Sequence, residues 1–218
     1  MKILKITLKT SELHNTIAFY NNVLELPIVR KWESGVTFQV GKSHLTFLQE
    51  GGSKTYYHVA FRTNSMHFDA MYNKLNNLGA LLQNEDGNTS MFWKGKQLYF
   101  LDPSGNVFEI LERENPYDHQ IDGFYDICEI GIPSHSVEEM SQYLNSIPSL
   151  INSESDTFRF FGDELGVCVL VIKGRHWYPT SKESQIDPLM IEVEGDIEKT
   201  LQHPKYPYTI KIKKPEWW

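Results

Sequence analysis

The chain has 218 residues, 40% of them hydrophobic and 13% aromatic, which is enough for one large or two ordinary domains with buried cores. Its formal charge of −7, with no basic cluster longer than Lys211, Lys213 and Lys214, argues against nucleic acid and anionic membrane surfaces as partners and leaves a small neutral or cationic organic molecule as the expected ligand. No basic-then-apolar leader and no apolar run near ~18 residues occurs, so the sequence predicts neither a signal peptide nor a membrane span and places the chain in the cytoplasm. The two cysteines, Cys128 and Cys168, lie inside apolar strand-like runs and read as buried free thiols.

In chain order, Ile3–Thr10 alternates as a strand, with apolar residues at even positions and Lys5, Thr7 and Lys9 on the other face. Leu13, Ile17, Tyr20 and Leu24 then recur at spacings of three and four, the pattern of an amphipathic helix. Strands at 36–40 and 44–49 follow, separated by a turn at Gly41 and Lys42. The unit reads β-α-β-β with room for one more strand.

A shift of 53 positions lays this unit on the next segment. It predicts a strand over 56–62, a helix over 66–78 and further strands ending at Glu112. The closing piece, residues 97–113, is a β-hairpin. Pro103 presets φ in its turn and Gly105 can take φ > 0. On its second strand Val107, Glu109 and Leu111 share one face while Phe108 and Ile110 share the other. Glu109 is thus a carboxylate among apolar neighbours, and it requires a cation, a metal or hydrogen-bond donors.

An offset of 124 produces a third copy, with a strand at 130–132, a helix over 136–144 and strands near 157–161 and 167–172. The last 30 residues read as a shortened fourth, with a strand over 189–193, a brief helix over 196–201 and a strand over 208–212. The fold expected is α+β, tandem βαβββ units forming cup-shaped mixed sheets with helices packed outside. Residues 1–113 form one complete two-unit domain, 114–122 a linker and 123–218 a second, shortened domain. The terminal Trp217-Trp218 pair is expected to dock on the body of the protein or on a second subunit.

The tandem units, the segment Thr16-Ile17-Ala18-Phe19-Tyr20-Asn21-Asn22-Val23-Leu24 and the hairpin Phe100-Leu101-Asp102-Pro103-Ser104-Gly105-Asn106-Val107-Phe108-Glu109 resemble the vicinal oxygen chelate superfamily. That group includes glyoxalase I, ring-cleaving dioxygenases and the fosfomycin- and bleomycin-resistance proteins. The resemblance implies a cup made by two units, with metal ligands, where there is a metal, on the first and last strands of each. His58 and Glu109 match two such positions. Lys5 and Thr46 stand at the other two.

A protonated lysine cannot coordinate a cation, so the resemblance and the chemistry together favour a metal-free cup in which Lys5 pairs with Glu109 and His58 lies beside them. The first domain is then expected to bind a small organic molecule without a catalytic metal. His58 and Glu109 are the catalytic candidates, and Lys5, Thr7, Thr46, Arg62, Trp93 and Tyr99 line the ligand site. The rival expectation is a lyase or ring-cleaving dioxygenase that uses Fe, Mn, Ni or Zn, with His58, Glu109 and His44 as ligands; His44 faces the same way as Thr46. A third is a non-enzymatic interaction module. In the later half Glu129 stands at the position of Lys5, Val169 at that of Thr46 and Asp187 near that of His58, and no second metal centre is expected. Either a monomer or a homodimer is compatible with four units.

Overall fold

The computed structural model describes residues 1–52, 54–117, 120–147, 149–150 and 155–215. The Trp217-Trp218 pair lies outside the described residues. The first unit is β1 (Ile3–Thr10), α1 (Leu13–Ala18), β2 (Ile28–Trp32), β3 (Gly35–Val40) and β4 (Ser43–Gln49). The second is β5 (His58–Thr63), α2 (Ser65–Asn77), β6 (Met91–Phe92), β7 (Lys96–Leu101) and β8 (Val107–Glu112). The third is β9 (Phe124–Ser134), α3 (Val137–Tyr143), β10 (Phe158–Asp163) and β11 (Gly166–Ile172). The fourth is β12 (Leu189–Glu194), β13 (Lys199–Gln202) and β14 (Tyr208–Lys213). No helix among the described residues is long and apolar enough to cross a membrane.

Local chemistry sets the helix ends. The Asn64 side chain accepts the His67 N–H at 2.8 Å and starts α2, and Ser136 accepts the Glu139 N–H at 3.1 Å and starts α3. The expected first helix is present, but after Ala18 it widens into a π-helical turn over Phe19–Val23. That turn buries Tyr20 among Phe38, Phe47 and Phe108 and brings its hydroxyl to Asp102 at 3.0 Å. The hairpin turn has the expected form, with Gly105 at φ 87°. Asp102 also accepts from the Asn106 amide N–H and side chain, both at 2.8 Å, and Ser104 bonds Thr10 at 2.8 Å. The hairpin of unit two is therefore fastened to unit one.

The brief helix expected over 196–201 is absent. Lys199–Gln202 instead pairs antiparallel with β14, because a single isolated helical turn gains too few hydrogen bonds to offset its nucleation while a neighbouring strand edge offers a ladder.

In every unit the first strand runs parallel to the last: β1 with β4, β5 with β8, β9 with β11, β12 with β14. The units then join through their first strands, antiparallel. Here the partners differ from the grouping read from sequence order: β5 pairs with β9 and β1 with β12. Units two and three thus share one half of the sheet, and one and four the other, joined where Ile3 meets Ile127. Periodicity identifies the repeats but carries no information on which free first-strand edge meets which.

Arg62 belongs to this frame and not to a ligand site. It is buried, donates to both Asp126 oxygens at 3.0 and 2.6 Å and to the carbonyls of Glu164 and Leu165 at 2.8 and 2.9 Å. It clamps β5 to β9 and to the β10–β11 turn, and Tyr117 donates to the same carboxylate. Truncation strands Asp126 without its cation. Arg62→Ala is expected to lower stability by about 3–5 kcal/mol in urea denaturation; a loss below about 1 kcal/mol contradicts the clamp.

Candidate metal centre

The strand registers place four equivalent positions around the shared cup. On β5, His58 lies two residues before Ala60, which pairs with Glu109 on β8. On β9, Glu129 lies two residues before Gly131, which pairs with Val169 on β11. The antiparallel register Ala60↔Glu129 brings these two sets face to face. One ligand atom each from His58, Glu109 and Glu129 lies within 4.8 Å of the others, and His58 Nε2 is 3.7 Å from Glu109 Oε2.

The same register in units one and four puts Lys5 and Thr46 on one side, since Thr7 pairs with Thr46, and Met190 and Lys211 on the other. That half offers two ammonium groups, a thioether and a hydroxyl, a set unsuited to a divalent cation. The expected Lys5–Glu109 pair is accordingly not formed: Lys5 stands opposite Glu192 and beside His44. His44 is in that half too, so Glu129 takes the place foreseen for it as third ligand. Thr46 bonds Thr37 at 2.8 Å and Thr7 faces Met190. Asp187 holds the Tyr56 N–H at 2.8 Å; the register gives Met190, not Asp187, as the counterpart of His58.

Above the cluster opens a cavity of about 310 Å³. Of the residues named from sequence, His58, Glu109, Tyr99 and Trp93 line it. Phe158, Phe160 and Tyr178 extend the aromatic wall, and Gln97, Arg175 and Trp177 add polar groups. Sequence reasoning missed Glu129, although its equivalence to Lys5 was visible, and missed the Trp177 segment, for which no periodic signal exists.

Trp177 stacks on His58 with ring centroids 5.0 Å apart and planes inclined 17°. Gly131 makes this possible: a Cβ there would lie 2.5 Å from Trp177 Cη2. Gln97 donates to the Tyr99 hydroxyl at 3.1 Å, and Tyr99 stands across from Glu109 on the paired strand. Three buried polar atoms of lining residues have no partner among the described residues: His58 Nδ1, Gln97 Oε1 and Trp177 Nε1. Among the described residues Glu129 likewise lacks any hydrogen bond or ion pair.

Burial holds the His58 imidazole down at about 4, so at neutral pH it is uncharged and offers a lone pair. Burial pushes Glu129 up to about 7. Burial first, and the nearby Glu129 charge second, push Glu109 well above the usual carboxylate range. Burial and the Glu109 charge raise the Tyr99 hydroxyl, which stays a donor. A neutral imidazole and two carboxylates that repel one another in a poorly hydrated cup are the donor set of a divalent cation. Ligand atoms about 2.1 Å from a shared ion lie about 3–4 Å apart, so small side-chain rotations close the cluster on one.

A sheet of parallel first-and-last strand units, joined antiparallel around a His-Glu-Glu cluster, defines the vicinal oxygen chelate class of fold. The chain belongs to the Glyoxalase/Bleomycin resistance protein/Dioxygenase superfamily, which residues 2–110 match. Over 105 residues it is 34% identical to metallothiol transferase FosB of Lysinibacillus sphaericus (strain C3-41), spanning 45% of this chain and 73% of that protein. Its whole length is similar in structure to a candidate dioxygenase from Bacillus subtilis subsp. subtilis str. 168, with 15% identity, 99% of this chain, 86% of the other and a TM-score of 0.65. A glyoxalase I variant from Zea mays is similar over 98% of this chain and 92% of its own, at 12% identity and a TM-score of 0.61. At such identities the likeness carries the fold alone.

The linkage of these groups to stability has opposite signs. The unfolded imidazole takes a proton near 6.5 and the folded one near 4, so acidification through that window removes roughly 3 kcal/mol. Glu129 binds its proton more tightly when folded, so its contribution is present below pH 4.5 and lost as pH rises through about 7. Glu129→Gln is therefore expected to stabilise the metal-free protein by about 1–3 kcal/mol at pH 8 and by nothing measurable near pH 4. Thermal unfolding at the two pH values checks this, and an unchanged Tm at pH 8 contradicts it.

Proposed function

We propose that the chain is a divalent-metal-dependent enzyme of the lyase or dioxygenase kind, acting on a small organic molecule in the cup between units two and three. The observation that carries this reading is the convergence of His58, Glu109 and Glu129 within 4.8 Å, three protein ligands in a cavity that remains open. Val169, at the fourth equivalent position, cannot coordinate. A bound Fe, Mn, Ni or Zn ion would supply Lewis acidity toward substrate oxygens at the side left open.

The chain's own groups do the rest. Tyr99 stands across from Glu109 on the paired strand, where its hydroxyl favours the ionised carboxylate, and Gln97 orients Tyr99 in turn. Trp177 holds the His58 ring plane. The aromatic walls exclude water and favour flat substrates. The cup is completed within one chain, which supports a monomer as the smallest functional unit. A metal-free binding protein is the second reading, favoured only by the family match over residues 2–110 ending before unit three, the unit that supplies Glu129.

Titration calorimetry of chelator-treated protein with Mn(II), Ni(II), Zn(II) and Fe(II) tests the proposal. One ion per chain is expected, with His58→Ala, Glu109→Gln and Glu129→Gln each weakening it by about 100-fold or more. Lys5→Ala and His44→Ala are expected to leave it unchanged. Absence of binding, or binding indifferent to Glu129→Gln, sinks it.

A further inference from the structure

One wall of the cup is not part of any repeat. Residues 173–187 form a strap between β11 and β12, closed by its own backbone: Gly174 N–H donates to Ser184 O at 2.9 Å, Ser184 N–H to Arg175 O at 2.8 Å and Trp177 N–H to Lys182 O at 2.9 Å. His176 bridges Glu183 in extended geometry, so its neighbours Arg175 and Trp177 project to one side. Both line the cavity.

What these two residues offer is donors. Trp177 Nε1 is buried without a partner, and an indole nitrogen can only donate. The Arg175 guanidinium lies over the Phe158 ring, 5.2 Å from its centroid, and makes one long hydrogen bond, to Thr157 Oγ1 at 3.3 Å. Among the described residues no carboxylate pairs with it, in a chain with an excess of seven negative charges. Two further cations lie by the Trp93 wall, Lys94 and Arg113, 5.4 and 5.9 Å from its ring. A guanidinium fork beside an aromatic wall is suited to a carboxylate carried on a flat ring.

Resting on the metal centre above, we propose that the strap selects flat organic anions, with Arg175 and Trp177 Nε1–H receiving the charged group while the ring lies against Phe158, Phe160 and Trp93. The floor of the cup imposes a second condition. A divalent cation held by Glu109 and Glu129 would bring positive charge to the floor of the cup, where the metal-free floor offers an anion none. Metal and anion therefore bind with positive coupling.

The full chain, with and without Mn(II), is titrated with 2-naphthoate and with its neutral isostere 2-naphthamide, for the wild type and Arg175→Gln. With metal, the wild type is expected to prefer naphthoate by about tenfold or more. Arg175→Gln is expected to lose that preference while binding Mn(II) as tightly as before, which shows the variant to be folded. Naphthoate is expected to bind more tightly with metal than without. Equal affinity for the two probes in the wild type, an Arg175→Gln variant that keeps the preference, or binding of neither probe overturns the proposal. A wild type that binds no metal yet prefers naphthoate through Arg175 overturns the metal centre and the coupling, and supports the strap's selectivity on its own.

Discussion

The antiparallel register between β5 and β9 is the constraint on which the rest depends. Because Ala60 pairs with Glu129, and because each of these strands carries its own parallel partner, the side chains two residues along fall into one cup from both sides. A slip of one residue would turn His58 or Glu129 to the opposite face. The register is guarded by the bidentate Arg62–Asp126 pair across the same two strands and by the apolar face behind them, where Val59, Phe61, Ile127 and Ile130 are fully buried. The apolar frame uses the face of these strands opposite the cup, while the Arg62–Asp126 pair lies on the cup's face further along β5.

The two halves of the sheet are the same architecture with different contents. Around units two and three the equivalent positions hold His58, Glu109, Glu129 and Val169; around units one and four they hold Lys5, Thr46, Met190 and Lys211. In the second half cations sit where the first has anions, and Glu192 neutralises Lys211 at 3.7 Å. One half is thereby satisfied by its own side chains. The other holds two carboxylates in poorly hydrated surroundings, an arrangement that destabilises the empty protein and is relieved by a cation.

Most of the fold was legible in the sequence. Period-two alternation in Ile3–Thr10, three- and four-residue spacing in the helices and the Asp-Pro-Ser-Gly-Asn turn are local signals with local causes, and the family resemblance supplied the βαβββ order. The brief helix over 196–201 was not legible, since its polar, near-featureless sequence left the choice to the edge of β14. The site was half legible. His58 and Glu109 follow from one unit, but their partners depend on which first strands meet, a decision made by long-range packing. The resemblance, applied to units one and two as chain neighbours, therefore sets Lys5, Thr46 and His44 beside Glu109 and places Glu129 elsewhere. Trp177 lies in a strap with no repeat counterpart and no pattern to read.

On the proposal above, units two and three, not one and two, build the functional cup. Its most direct test is a crystal of the protein soaked in Mn(II), with anomalous scattering measured at a wavelength where manganese contributes strongly. One peak per chain is expected, bounded by His58, Glu109 and Glu129. A peak beside Lys5, Thr46 and His44, or a Lys5 ammonium resting against Glu109 with no peak between the three ligands, would contradict it.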